Sequence, residues 1–140
     1  MATAAGCTQA TDWLKGRRTA DAQDPIILGA PDADIYLREL YELAAGDPAT
    51  QAEIFADADA AATLTPGPNT SLRLALVLAT PGHADSDPQR AESMLRDVLS
   101  RTELLTPAEV SLATIHLNSV ERLIVANAEA RRLRTSSAAR

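Results

Sequence analysis

A chain of 140 residues with 46% apolar side chains is long enough for one domain with a real core. Its net charge of −6 argues against a nucleic-acid-binding face, and its single cysteine excludes an intrachain disulfide. No apolar run approaches the ~20 residues that span a bilayer, and abundant alanine and leucine with only 3% aromatics favours helices over strands.

Residues 1–30 show no sustained hydrophobic period. They contain Gly6, Gly16, Pro25 and Gly29 among scattered charges, and read as a flexible leader or tether. Trp13 and the cluster Ile26-Ile27-Leu28 are the apolar groups there that can dock onto the body.

Beyond the leader, prolines mark where helices begin. Pro31, Pro48, Pro88 and Pro107 each open an apolar segment with helical spacing. Proline suits the first helical turn, where its missing N–H has no intrahelical partner. Asp47, Asp87 and Thr106 directly precede three of these prolines and can cap the exposed first-turn amides.

The first helix is expected from Asp32 to Ala45, with Tyr36, Leu37, Leu40, Tyr41, Leu43 and Ala44 on one face. Gly46 is expected to stop it in the left-handed conformation. The second runs from Pro48 to Leu64 with a narrow face of Ile54, Phe55, Ala58, Ala61 and Ala62, until Pro66-Gly67-Pro68-Asn69 breaks the chain. The third covers Thr70 to Ala79. Arg73 is its only charge, so it is expected at the centre of the core, covered on several sides.

The fourth helix is expected from Pro88 to Arg101, with Ala91, Met94, Leu95, Val98 and Leu99 inward. Glu92 with Arg96 and Asp97 with Arg101 form favourable pairs four apart on its outside. The last and longest opens on Thr106-Pro107-Ala108-Glu109, a capping box. Val110, Ala113, Leu117, Val120 and Ile124 then alternate steps of three and four, an apolar seam that meets polar Asn127. This helix is expected to reach Arg134, ~42 Å at 1.5 Å per residue, and either to project beyond the body or to pack on something outside the chain.

The fold class is therefore all-α: about five helices as antiparallel hairpins, with a long C-terminal helix. Helix starts near residues 32, 70 and 107 approximate the ~34-residue step of tetratricopeptide hairpins. The hairpin domain spans 31–134, and residues 135–140 form a disordered tail. Charge divides along the same lines. The stretch between residues 18 and 131 holds 18 acidic and 6 basic residues, a balance of −12, while Arg131, Arg132, Arg134 and Arg140 cluster at the end. Cations are favourable at a helix C-terminus, which gives that cluster a structural reason.

No motif for nucleotide binding, zinc-dependent hydrolysis or paired-cysteine metal ligation is present. Catalytic, cofactor and metal residues are accordingly assigned to none. His83 lies in a loop near Asp85 and Asp87, but Asp87 is more simply a helix cap. His116 flanks the seam beside Leu112 as a boundary residue. Asp57 and Asp59, two apart on a helix, diverge. Tyr36 and Tyr41 read as core or groove lining, and Asn69-Thr70-Ser71 as a helix start rather than a glycosylation acceptor.

Cys7 follows Ala4-Ala5-Gly6, small residues of the kind that precede the lipidated cysteine of bacterial lipoproteins. Ala4 stands where a large aliphatic residue is usual, and the charged and apolar parts of a signal peptide are absent. Cys7 reads equally as a lipid acceptor or a free thiol.

Three stretches, Ser71-Leu-Arg-Leu-Ala-Leu-Val-Leu-Ala-Thr-Pro-Gly-His83, Asp87-Pro-x-Arg-Ala91 and Leu104-Leu-Thr-Pro-Ala-Glu109, together with Arg131-Arg-Leu-Arg134, resemble the QseG-type lipoproteins of Gram-negative bacteria. The resemblance covers about residues 70–134. It implies a lipoprotein anchored to the outer membrane through Cys7, facing the periplasm and associated with the sensor domain of a two-component histidine kinase, with a homodimer also in view.

The favoured expectation is thus a non-enzymatic protein–protein interaction module, with Leu117, Val120, Leu123 and Ile124 as the partner contact. The alternative for those four residues is that they close the domain's own core. For the whole chain the alternatives are a cytoplasmic tetratricopeptide-like adaptor or, more remotely, a small-ligand protein or enzyme using His83, Asp85 and Arg73.

Overall fold

The computed structural model describes residues 33–139, and every regular element among them is a helix. Helix α1 spans Ala33–Ala45, α2 Pro48–Leu64, α3 Pro68–Ala79 and α4 Pro88–Leu99. A single 3₁₀ turn, Thr102–Leu104, leads into α5, Pro107–Ala138. The described chain is all-α, with consecutive helices packed on one another and α5 reaching back onto α3 as well as α4. Pro31, Cys7, Trp13 and Ile26-Ile27-Leu28 lie outside the described residues, as does the leader as a whole.

The starts follow the capping chemistry. Asp47 Oδ1 accepts from the Thr50 amide at 2.8 Å, Asp87 Oδ1 from the Arg90 amide at 3.0 Å, and Thr106 Oγ1 from the Glu109 amide at 3.2 Å. The Thr50 hydrogen bond also holds the Asp47 carboxyl below its ordinary range. Helix α3 begins two residues earlier than its apolar run, at Pro68 with Gly67 as cap. Thr70 Oγ1 completes that start by donating to the carbonyls of Thr65 and Gly67.

The ends depart further from expectation. Gly46 does not adopt the left-handed conformation; Gly82, with φ 93°, is the described glycine that does. Gly46 is required for closeness instead. A Cβ there would lie 2.5 Å from the Glu42 carbonyl oxygen and 3.2 Å from the Thr50 side chain. Helix α4 closes at Leu99 rather than Arg101, because the Ser100 and Arg101 amides are already turning back onto Arg96, Asp97 and Val98. Helix α5 does not stop at Arg134, and residues 135–138 are helix rather than tail. Nothing in Thr135-Ser136-Ser137-Ala138 breaks a helix, and Thr135 Oγ1 folds back onto the Arg131 carbonyl at 2.9 Å.

Helix α3 is the centre of the core, as its composition requires. Leu72, Leu74, Ala75, Leu76, Val77, Leu78 and Ala79 are all buried. Around it gather Tyr36 and Leu43 of α1, Ala58 of α2, Ala91, Leu95 and Val98 of α4, Leu105, and Ala113 and Val120 of α5. The expected face of α1 is too broad. Tyr36, Leu40 and Leu43 turn inward, whereas Leu37 and Ala44 are exposed and Tyr41 is 71% exposed. A helix touching neighbours on one side buries one row at steps of four and three, and the adjacent row faces out.

Ion pairs tie the helices on the outside. The Arg73 guanidinium of α3 grips Glu39 of α1 through Nε at 2.8 and 3.0 Å and Nη2 at 2.6 Å. That carboxylate raises the already high pKa of Arg73. Arg96 of α4 reaches Glu92 within its own helix at 3.0 Å and Glu121 of α5 at 2.7 Å. Asp57 and Asp59 diverge to different arginines, Arg73 at 3.9 Å and Arg90 at 3.5 Å.

Candidate interaction surface

The surface is built on α5, and α5 is built on its first turn. Thr106 and Glu109 form the expected capping box, with Glu109 Oε1 accepting from the Thr106 amide at 3.0 Å. Unexpectedly, Glu109 is only 1% exposed, and its Oε2 accepts from the Tyr36 hydroxyl at 2.7 Å. One carboxylate thus caps α5 and fastens it to α1. Burial, reinforced by the Glu109 hydrogen bond and charge, pushes the Tyr36 phenol well above its ordinary pKa.

The seam that follows faces the body. Val120 is 1% exposed, and Leu117 and Ile124 pack against the core, with Leu123 half-buried beside them. Leu117, Val120 and Ile124 therefore belong to the domain's own core, while Leu123 is half-buried at its edge. The physical reason is that α5 lies along both α3 and α4, so its apolar row is already consumed. The seam ends at Asn127, which is exposed.

Beyond that point α5 leaves the body. At 32 residues it is about 48 Å long. From Val125 to Ala139 every residue except Ala130 is exposed. The side turned away from the body carries Arg122, Val125, Ala126, Glu129 and Leu133, at steps of three and four. Val125 is 66% and Leu133 59% exposed. On the other side Asn127, Arg131 and Arg134 form a notch of about 320 Å³ with Gln89 at the start of α4. Arg131, Arg132 and Arg134 of the arginine cluster thus lie on the projecting end, and Arg140 is outside the described residues.

Two other places offer polar chemistry. A groove of about 510 Å³ lies among α1, α2 and α3, lined by Glu39, Glu42, Glu53 and Asp57, with Arg73 beside them. In the loop after α3, His83 Nε2–H donates to the Val77 carbonyl at 2.8 Å, and its Nδ1 is buried without a partner. Arg73 is occupied by Glu39, and no hydrogen bond or ion pair joins it to His83 or Asp85. His116 Nδ1–H donates to the Leu112 carbonyl one turn back. Among the described residues, no group of three or more His, Cys, Asp or Glu could hold a metal ion, and no helix is long and apolar enough to cross a membrane.

No protein-family model, no curated protein and no solved structure matches the chain.

Proposed function

We propose that the chain is a non-enzymatic protein–protein interaction module whose contact element is the projecting half of α5. One observation carries this: a helix that stays regular to Ala138 presents its last fifteen described residues almost wholly to solvent. Isolated helices of that length are marginal in water, so this stretch is held by propagation from the anchored half and is free to bind. Its exposed side sets Val125, Ala126 and Leu133 among Arg122 and Glu129, a mixed apolar and charged face that a partner's groove can take.

The resemblance of residues 70–134 to QseG-type lipoproteins supplies the partner class, the periplasmic sensor domain of a two-component histidine kinase. It also supplies a lipid on Cys7 as the outer-membrane anchor. The spacing of helix starts near residues 32, 70 and 107 adds a tetratricopeptide-like pairing of α1 with α2 and of α3 with α4. The test takes the full chain with Val125→Asp and Leu133→Asp, both on exposed positions, and measures binding to such a sensor domain by calorimetry. Loss of binding by a variant with an unchanged circular-dichroism melt supports the proposal. Undiminished binding, or none by the parent chain, overturns it. Mass spectrometry of the protein isolated from membranes checks the anchor, since a diacylglyceryl adduct on Cys7 is expected and its absence removes that part.

A further inference from the structure

Helix α1 carries two apolar rows side by side, offset by one residue. Tyr36, Leu40 and Leu43 make the first, and it is spent on the core. Leu37, Tyr41 and Ala44 make the second, at the same steps of four and three, and all three are exposed. Tyr41 is 71% and Leu37 51% exposed. Helix α1 is the first described element, and no described helix covers this row.

The sequence places an apolar group directly upstream. Ile26-Ile27-Leu28 ends five residues before Ala33, separated from it by Gly29-Ala30-Pro31-Asp32, a run of turn-forming residues. Five residues reach at most about 17 Å when extended. Leu37 stands about 6 Å and Ala44 about 17 Å along the helix from Ala33, at 1.5 Å per residue. The chain is therefore long enough for Leu28 to reach the free row at Leu37, with Ile27 and Ile26 following along it. Covering it with residues of the same chain needs no loss of translational freedom, unlike covering it with a separate molecule.

We propose that the exposed row Leu37–Tyr41–Ala44 of α1 is the docking surface for the chain's own segment Ile26-Ile27-Leu28. The leader is then fastened to the domain at its near end, and only the part preceding residue 26 serves as tether. This stands apart from the function assigned to α5 and involves none of its residues.

The experiment uses the full chain with Cys7→Ser, so that every thiol is an introduced one. Ile27→Cys is combined either with Leu37→Cys on the free row or with Ile35→Cys on the opposite flank of α1. A short bismaleimide is added at dilute protein concentration. Rapid cross-linking within one chain for the Leu37 pair, and slow cross-linking for the Ile35 pair, is the expected result. Equal rates for both pairs overturn the proposal, as does cross-linking between chains, which would assign the row to a second copy.

A second measurement does not depend on cross-linker geometry. The reactivity of a lone Leu37→Cys thiol is expected to rise several-fold when Ile26, Ile27 and Leu28 are all replaced by Asp. An unchanged reactivity means the row was never covered by that segment and ends the proposal.

Discussion

The Tyr36 hydroxyl and the Glu109 carboxylate meet at 2.7 Å across 73 positions of sequence, inside the protein. Glu109 is already engaged by the Thr106 amide through its other oxygen. The pair therefore joins the first described helix to the last by way of a helix cap. Removing one partner leaves the other desolvated and unsatisfied, the costly direction for a buried hydrogen bond.

Tyr36→Phe is expected to destabilise by about 1–3 kcal/mol, and Glu109→Ala by about 2–4 kcal/mol because it also dismantles the capping box. Urea unfolding of the two single variants and the double variant measures the coupling. The double variant should cost clearly less than the two singles added together.

The same phenol gives a pH dependence. In the folded protein Tyr36 holds its proton beyond the ordinary value of 10.0, because burial and then Glu109 oppose ionisation. The unfolded chain ionises from that value upward. The contribution of this group is thus complete below pH 10 and is lost as pH rises from there towards the folded value, at up to about 1.4 kcal/mol per pH unit. Unfolding free energies between pH 8 and pH 11 should show the parent losing stability faster than Tyr36→Phe, so that the gap between them narrows.

Leucine substitutions should separate the core from the projecting end. Leu76 of α3 is buried on all sides, and Leu76→Ala is expected to cost about 2–5 kcal/mol through lost transfer energy and a residual cavity. Leu133 lies on the free half of α5, and Leu133→Ala should move stability by no more than about 0.5 kcal/mol. Thermal or urea unfolding of both variants decides the matter.

Gly46→Ala tests the close approach between α1 and α2. The added methyl would press on the Glu42 carbonyl and on Thr50, and should destabilise by about 1–3 kcal/mol through forced backbone shifts. At Gly82 a Cβ would touch nothing, so alanine there meets only the cost of a positive φ, about 1–2 kcal/mol. The two variants distinguish steric crowding from conformational preference.

Local chemistry made most of the architecture legible. Asp47, Asp87 and Thr106 cap where proline follows them, since a cap and its amides lie within three residues of one another. Helix α3 announced its central place by carrying one charge among apolar neighbours. What failed to show was tertiary. The width of the buried face on α1 depends on how many helices touch it, so spacing alone puts Tyr41 on the same face as Tyr36 although it is exposed. The row Leu117–Val120–Ile124 carries the same pattern whether it meets α3 and α4 or a separate protein, and only the packing decides. Glu109 was visible as half of a capping box, but its attachment to Tyr36 links residues that no local pattern connects.

From Ala108 to Ala138 helix α5 contains neither glycine nor proline. Its first half is seated on α3 and α4 through Val110, Ala113, Leu117, Val120 and Ile124. With no residue in between that ends or kinks a helix, that seating sets the heading of the exposed half.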